Sequence, residues 1–225
     1  MPLAAGAALA ATPAQAHYLG TVMRRGPGAT VLVFNGRDGE WEARLIALSR
    51  DAARLEVARQ LRPQTEEPDL WLVFAPLKRD ATDLVVQKAT ELGAAALLPV
   101  LTRRSNTARV NAGRLHAIAV EAAEQCERLT VPRIAPPQPF PAVLAAWPPS
   151  RTLFAAVERA AAPPLLPCRA PCALLTGPEG GFAPEELDEL GRHALVKQVS
   201  LGPRILRAET AAIVGLALLQ APGGG

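Results

Sequence analysis

Near its C-terminus the chain repeats one design twice: an apolar strand, a glycine-bearing turn and a helix. In the first copy Ala173-Leu174-Leu175-Thr176 runs into Gly177-Pro178-Glu179-Gly180-Gly181, and a helix is expected over 184–192. In the second, a strand over 196–200 meets Leu201-Gly202-Pro203, two arginines follow at 204 and 207, and an apolar helix starts at 208. Strands feeding helices through short turns build an α/β domain with a largely parallel sheet. Open sheets of this kind take ligands at the carboxyl ends of their strands. The two loops are expected to leave adjacent strands and to line a cleft mainly with backbone amides, which glycine allows a ligand to approach closely. Such a cleft suits a nucleotide-like cofactor, and arginines beside it suit an anionic substrate.

The rest of the chain divides in two. Residues 30–34 are β-rich, Asn35-Gly36-Arg37-Asp38-Gly39 is a turn cluster, residues 41–48 alternate apolar with polar, and 54–57 read as a further strand. These predict a small β-barrel module over residues 1–64. Residues 62–69 have linker composition, and from 69 to 225 strands alternate with helices. Strands are expected at 70–75, 95–101 and 151–156. A helix over 80–92 carries Leu84, Val85, Lys88, Ala89 and Leu92 near one face. A second, over 111–128, is capped by Asn111 and buries Leu115, Ile118, Ala119 and Ala122. A short helix is expected at 143–147. The last helix is apolar on nearly every face, which predicts burial all round.

Apolar side chains make up 49% of the 225 residues and charged ones 20%, which excludes wholesale disorder. The net charge of +3 permits an anionic partner without demanding one. Of the basic residues only Lys78, Lys88 and Lys197 are lysines, so phosphate recognition would fall to arginine. Cys126, Cys168 and Cys172 form no paired framework, which argues for a reducing, cytoplasmic setting. No second Cys/His pair matches Cys168-x-x-x-Cys172, so no metal is expected. The alanine-rich residues 1–16 end in Ala-Gln-Ala but lack a charged n-region, and Pro2, Gly6 and Pro13 interrupt them. They are read as folded sequence rather than a signal peptide.

Taken by itself, the loop at 176–182 is neither a Rossmann fingerprint nor a P-loop, since it lacks the G-x-G-x-x-G spacing and a Lys-Ser/Thr pair. A tight turn capping the next helix would account for it equally well. Arg204 and Arg207, three apart, would project from similar faces if that turn were helical. Glu209 and Thr210 fall in the first turn of the last helix, where they can cap free amides. Arg103-Arg104 with Arg109, and Arg24-Arg25, form two basic patches. Neither is interleaved with aromatic side chains, so the two patches suit phosphate contact rather than base stacking, or are simply solvated surface arginines.

Several separated segments then carry a specific resemblance. The Gly177–Gly181 loop and Leu201-Gly202-Pro203-Arg204-Ile205-Leu206-Arg207-Ala208-Glu209-Thr210-Ala211 resemble the cofactor signature of the SPOUT class of methyltransferases, whose C-terminal segment forms a trefoil knot. Lys88-Ala89-Thr90-Glu91-Leu92-Gly93, Glu121-Ala122-Ala123-Glu124-Gln125-Cys126-Glu127-Arg128 and His17-Tyr18-Leu19 narrow this to the bacterial 16S rRNA (uracil-N3) methyltransferase family. The likeness runs from about residue 17 to 219. It implies a PUA-like N-terminal barrel, a SPOUT-type parallel sheet, a homodimer, S-adenosylmethionine as cofactor, and 16S ribosomal RNA, within the small subunit, as substrate. A rival SPOUT enzyme acting on a ribose 2′-hydroxyl would be expected to lack the barrel, and a non-catalytic ribosome-assembly factor would not need the glycine loops. The family leads with a further strand, whereas here Met1 is followed directly by Pro2-Leu3. This predicts a barrel short of one edge strand, with RNA docking through it weakened.

Carried over residue by residue, the resemblance places the cofactor against Leu175, Thr176, Gly177, Glu179, Gly180 and Gly181 from one side. Leu201, Gly202, Ile205, Leu206 and Thr210 close it from the other. Arg204, Arg207 and Glu209 are the catalytic candidates, and Arg24, Arg25, Arg103, Arg104, Arg109 and Arg128 the RNA contacts.

Overall fold

Two compact units divide the chain, Met1–Glu66 and Glu67–Gly225, in a computed structural model that describes residues 1–105, 110–158 and 162–221. The first unit opens with β1 (Ala8–Ala11), the short helix α1 (Pro13–His17) and a π-helical turn, Tyr18–Val22. Thr12 Oγ1 accepts from Gln15 N, and Gln15 Oε1 accepts in return from Thr12 N. Pro13 sits where a helix has an N–H to spare, so nothing is lost by its ring. Three strands follow: β2 (Thr30–Phe34), β3 (Glu40–Leu48) and β4 (Ala53–Arg62). They form an antiparallel sheet in the order β1-β4-β3-β2. Asn35 Oδ1 shapes the β2–β3 turn by accepting from the N–H groups of Arg37 and Asp38. Gly39 closes it at φ +82°, where a Cβ would lie 2.3 Å from the Arg62 carbonyl oxygen, so only glycine fits. Val31, Ala43, Leu45, Ala53 and Leu55 alternate inward and meet Ala16 and Leu19. The first residues are tied to this sheet: Leu3 N donates to Asp38 Oδ2 at 2.8 Å and Gly6 N to the Val57 carbonyl at 2.8 Å.

The second unit runs β5 (Leu70–Phe74), α2 (Arg79–Glu91), β6 (Ala96–Leu101), α3 (Ala112–Gln125), β7 (Arg133–Ile134), β8 (Gln138–Pro139), α4 (Phe140–Ala145), β9 (Thr152–Ala156), β10 (Cys172–Thr176), α5 (Pro184–Arg192), β11 (Val196–Val199) and α6 (Ala208–Gln220). The sheet order is β11-β9-β10-β5-β6-β7, with β8 also on β6, and every pairing is parallel. Side chains on alternate faces enter two separate cores. Leu70, Leu72, Phe74, Cys172 and Leu174 face the side holding α2, α3 and α6, while Val73, Ala173 and Leu175 face α4 and α5. Covering both faces explains why these strands read as continuous apolar runs.

Local differences from the sequence reading have local causes. On α2 the buried residues are Thr82, Val85, Val86, Ala89 and Thr90, and Leu84 is 37% exposed. Thr82 and Thr90 are tolerated inside because their hydroxyls donate to the carbonyls of Leu77 and Val86. Lys88 pairs with Glu91 at 2.8 Å on the outer side. Asn111 caps α3 as expected, accepting from Arg114 N. α6 buries one stripe only, Ala212, Gly215, Leu216 and Leu219; Ile213, Val214 and Leu218 are half-buried and Ala217 is exposed. The expectation of burial all round therefore fails within a single chain.

Candidate cofactor and RNA site

Parallel strands put all their carboxyl ends on one edge of the sheet. Segments 75–78, 102–105, 157–158, 176–182 and 200–207 leave that edge after β5, β6, β9, β10 and β11. The two glycine loops do not come from adjacent strands, because β9 lies between β10 and β11. Chain order alone cannot reveal such an insertion, since a crossover can skip a position. The loops thus flank the end of β9, where Glu158 emerges, and a Cβ on Gly181 would stand 2.8 Å from Glu158 Oε1. Glu158 is exposed. The sequence reading passed over this carboxylate, although its position just past a strand end was a usable signal.

The first loop is a tight turn, with Gly181 N donating to the Pro178 carbonyl at 2.9 Å and Gly181 at φ +68°. Phe182 folds back beneath it, its ring 3.1 Å from where a Gly177 Cβ would be. Thr176 is buried, its carbonyl accepting from Ala75 N at 3.1 Å. Leu175 is fully buried in the α4/α5 core, so its side chain is turned away from any ligand in the cleft. Glu179 is exposed and accepts a long bond, 3.5 Å, from Lys78 N. Gly180 is exposed.

In the second loop Gly202 adopts φ +121° with open space around its Cβ position, so conformation rather than room demands glycine there. Gly202 N donates to Ser200 Oγ at 3.2 Å. Leu201 packs against the α6-side core, Leu206 is half-buried, and Ile205 is 56% exposed. Residues 201–207 are not helical. α6 begins at Ala208, with Arg207 extended as its cap residue, so Arg204 and Arg207 do not share a helical face as expected. Both are exposed, and among the described residues neither guanidinium makes a hydrogen bond or ion pair. Glu209 and Thr210 are half-buried in the first turn of α6. Two unpaired guanidinium groups at the amino end of a helix favour an anion.

The arginines read as RNA contacts separate into different kinds. Arg24 and Arg25 are exposed in the first unit. Arg103 is exposed and 3.7 Å from Glu185, and Arg104 lies against the glycine loop. Arg109 falls outside the described residues. Arg128 is a correction: it is buried, donating to the Thr90 and Ala94 carbonyls at 2.8 and 2.9 Å and pairing with Glu67 at 3.2 Å. Burial lowers its pKa, opposed by Glu67. A guanidinium so engaged holds the end of α2 and cannot reach RNA.

A cavity of about 610 Å³ opens at the opposite, amino-terminal edge of the sheet, bounded by Leu70, Cys168, Cys172 and Leu219. Arg169 also lines it, but it has no glycine loop and neither Arg204 nor Arg207. The carboxyl edge is therefore the better candidate site on physical grounds. Among the described residues no cluster could hold a metal ion.

Residues 65–220 match the family described as RNA methyltransferase domain. The chain belongs to this family. Residues 11–58 match the RNA methyltransferase PUA domain. The chain is similar to Ribosomal RNA small subunit methyltransferase E of Rickettsia conorii, 32% identical with 92% of this chain and 86% of the relative covered. Among solved structures, Ribosomal RNA small subunit methyltransferase E from Neisseria gonorrhoeae, bound to S-adenosyl methionine, superposes with a TM-score of 0.85 at 29% identity, covering 96% of this chain and 92% of that one. A Legionella pneumophila protein, solved with the cofactor SAM, gives 0.86 at 28% identity, covering 100% and 96%. These relatives agree with an α/β fold of SPOUT type behind a PUA-like module.

Proposed function

We propose that the protein transfers a methyl group from S-adenosylmethionine to N3 of a uridine in 16S ribosomal RNA. The observation that carries this is the pair of loops flanking β9, each held by a positive-φ glycine, with unpaired Arg204 and Arg207 on the second. Membership of the RNA methyltransferase family and the cofactor-bound relatives support the same reading. Gly177, Gly180 and Gly181 would let the cofactor approach the main chain of the first loop, with Gly202, Ile205 and Leu206 opposite. When bound, S-adenosylmethionine supplies a methyl carried on a sulfonium.

Transfer would form an N3–CH3 bond as the methyl–sulfur bond breaks, with that bond's electron pair left on sulfur. The N3 proton must leave to a base, and the uracil charge spreads to O2 and O4. Arg204 and Arg207 stabilise that charge or grip the adjacent phosphate. Glu209 and Glu158 are the carboxylates positioned to take the proton, directly or through water. The first unit serves as the RNA-docking module, the second as the catalytic domain with its C-terminal segment knotted. The half-buried stripe of α6 pairs with a second copy in a cytoplasmic homodimer.

Calorimetric titration with S-adenosylmethionine tests the core of this reading, and absence of binding at millimolar cofactor would refute it. Mapping N3-methyluridine on ribosomal RNA from a deletion strain, with and without complementation, identifies the target. Arg207→Ala should leave cofactor affinity intact and reduce turnover by about a hundredfold. Unchanged turnover would remove Arg207 from the catalytic group.

A further inference from the structure

The turn after β6 and the first glycine loop are fastened together. Thr102 N and Thr102 Oγ1 bond to Ser105 Oγ at 3.0 and 2.9 Å, which fixes the turn carrying Arg103 and Arg104. From that turn Arg104 Nη1 donates to the Gly180 carbonyl at 2.8 Å and reaches the Phe182 carbonyl at 3.4 Å. Its stem lies along Gly180, where a Cβ would meet Arg104 Cδ at 3.5 Å. Beside it buried Glu186 accepts from Arg103 N and from Ala183 N, both at 2.8 Å. A peptide group is planar, so its C=O and N–H are fixed together. The peptide joining Gly180 to Gly181 is held at its oxygen by Arg104 and at its nitrogen by the Pro178 carbonyl. The peptide joining Phe182 to Ala183 is held at its oxygen by Arg104 and at its nitrogen by Glu186.

We propose that Arg104 is a positioning residue for the cofactor: by pinning these two peptide planes it presets the amides of the glycine loop. This rests on the methyltransferase reading. It assigns to the cofactor side an arginine whose sequence context points to RNA. Its Nη1 is already committed to two main-chain carbonyls, and a phosphate would have to compete with them for that nitrogen. Because Arg104 stands on the turn after β6, any movement of that turn is transmitted to the cofactor loop.

The experiment uses the full-length protein in two assays. Calorimetry measures S-adenosylmethionine affinity without RNA, and filter binding measures the salt dependence of 16S ribosomal RNA affinity without cofactor. Arg104→Ala should weaken cofactor binding about tenfold, the effect of losing charge-assisted hydrogen bonds. Arg104→Lys, which keeps a donor and most of the stem, should fall between, and it serves if the alanine variant folds poorly. The logarithmic salt slope of RNA binding should not change. A phosphate contact would lower that slope by about one. An unaltered cofactor affinity, or a reduced slope, would overturn the assignment. Failure of the wild-type protein to bind cofactor would overturn the methyltransferase reading itself, and this inference with it.

Discussion

Cys172 opens β10 with its side chain inside the α6-face core, and burial, reinforced by the neighbouring Cys168 thiol, pushes its pKa up to about 12 from 9.0. A thiol held protonated in the folded state favours folding fully below its unfolded pKa and loses that contribution as pH climbs to the folded value. Stability should therefore decline between about pH 9 and about 12. Cys172→Ala should flatten this decline in chemical denaturation measured across that range; an equal slope in both proteins would refute it. Arginine shows what a sequence conceals at this scale. Arg207, Arg104 and Arg128 look alike in the chain, yet the first is unpaired, the second bonds two loop carbonyls, and the third is buried on Thr90 and Ala94. Which partner a long side chain meets depends on chain segments distant in sequence, so only the folded geometry separates these roles.

At the level of the element, α6 lies close on β10 because Gly215 has no side chain. A Cβ there would fall 2.5 Å from Leu174 Cδ2, and Leu174 is fully buried. Alanine would gain about 1 kcal/mol of helix propensity but force overpacking that costs about 1–3 kcal/mol. Gly215→Ala should thus destabilise the protein by about 1 kcal/mol in urea denaturation. A stabilised variant would show that Leu174 can move aside. Both terminal helices were legible to the residue: α5 from Pro184 and the acidic first turn, α6 from its unbroken apolar run. By contrast β1 and α1 sit in alanine-rich sequence that has no strand or helix period of its own. They are selected by pairing with β4 and by the Thr12–Gln15 cap. The two-residue strands β7 and β8 exist only because β6 offers them an edge.

For the whole molecule, the face of α6 left by the buried stripe sets the expectation for assembly. Ile213, Val214 and Ala217 follow helical spacing on one side, the first two half-buried and the third exposed. Ala217→Arg should convert the proposed homodimer to monomer in light scattering and reduce methylation, while a wild-type protein already monomeric at micromolar concentration would refute the dimer. The parallel sheet and the paired glycine loops could be read from the chain, because local periodicity and turn chemistry dictate them. The order of strands could not. Inserting β9 between β10 and β11 places Glu158 between the glycine loops, and fastening the β6 turn to Gly180 brings Arg104 against the first of them. The sequence alone determined that two glycine loops and a pair of arginines would edge an α/β sheet. Tertiary structure decided which strand end they surround and which charges remain unpaired there, because both depend on contacts between segments that nothing in their local sequence brings together.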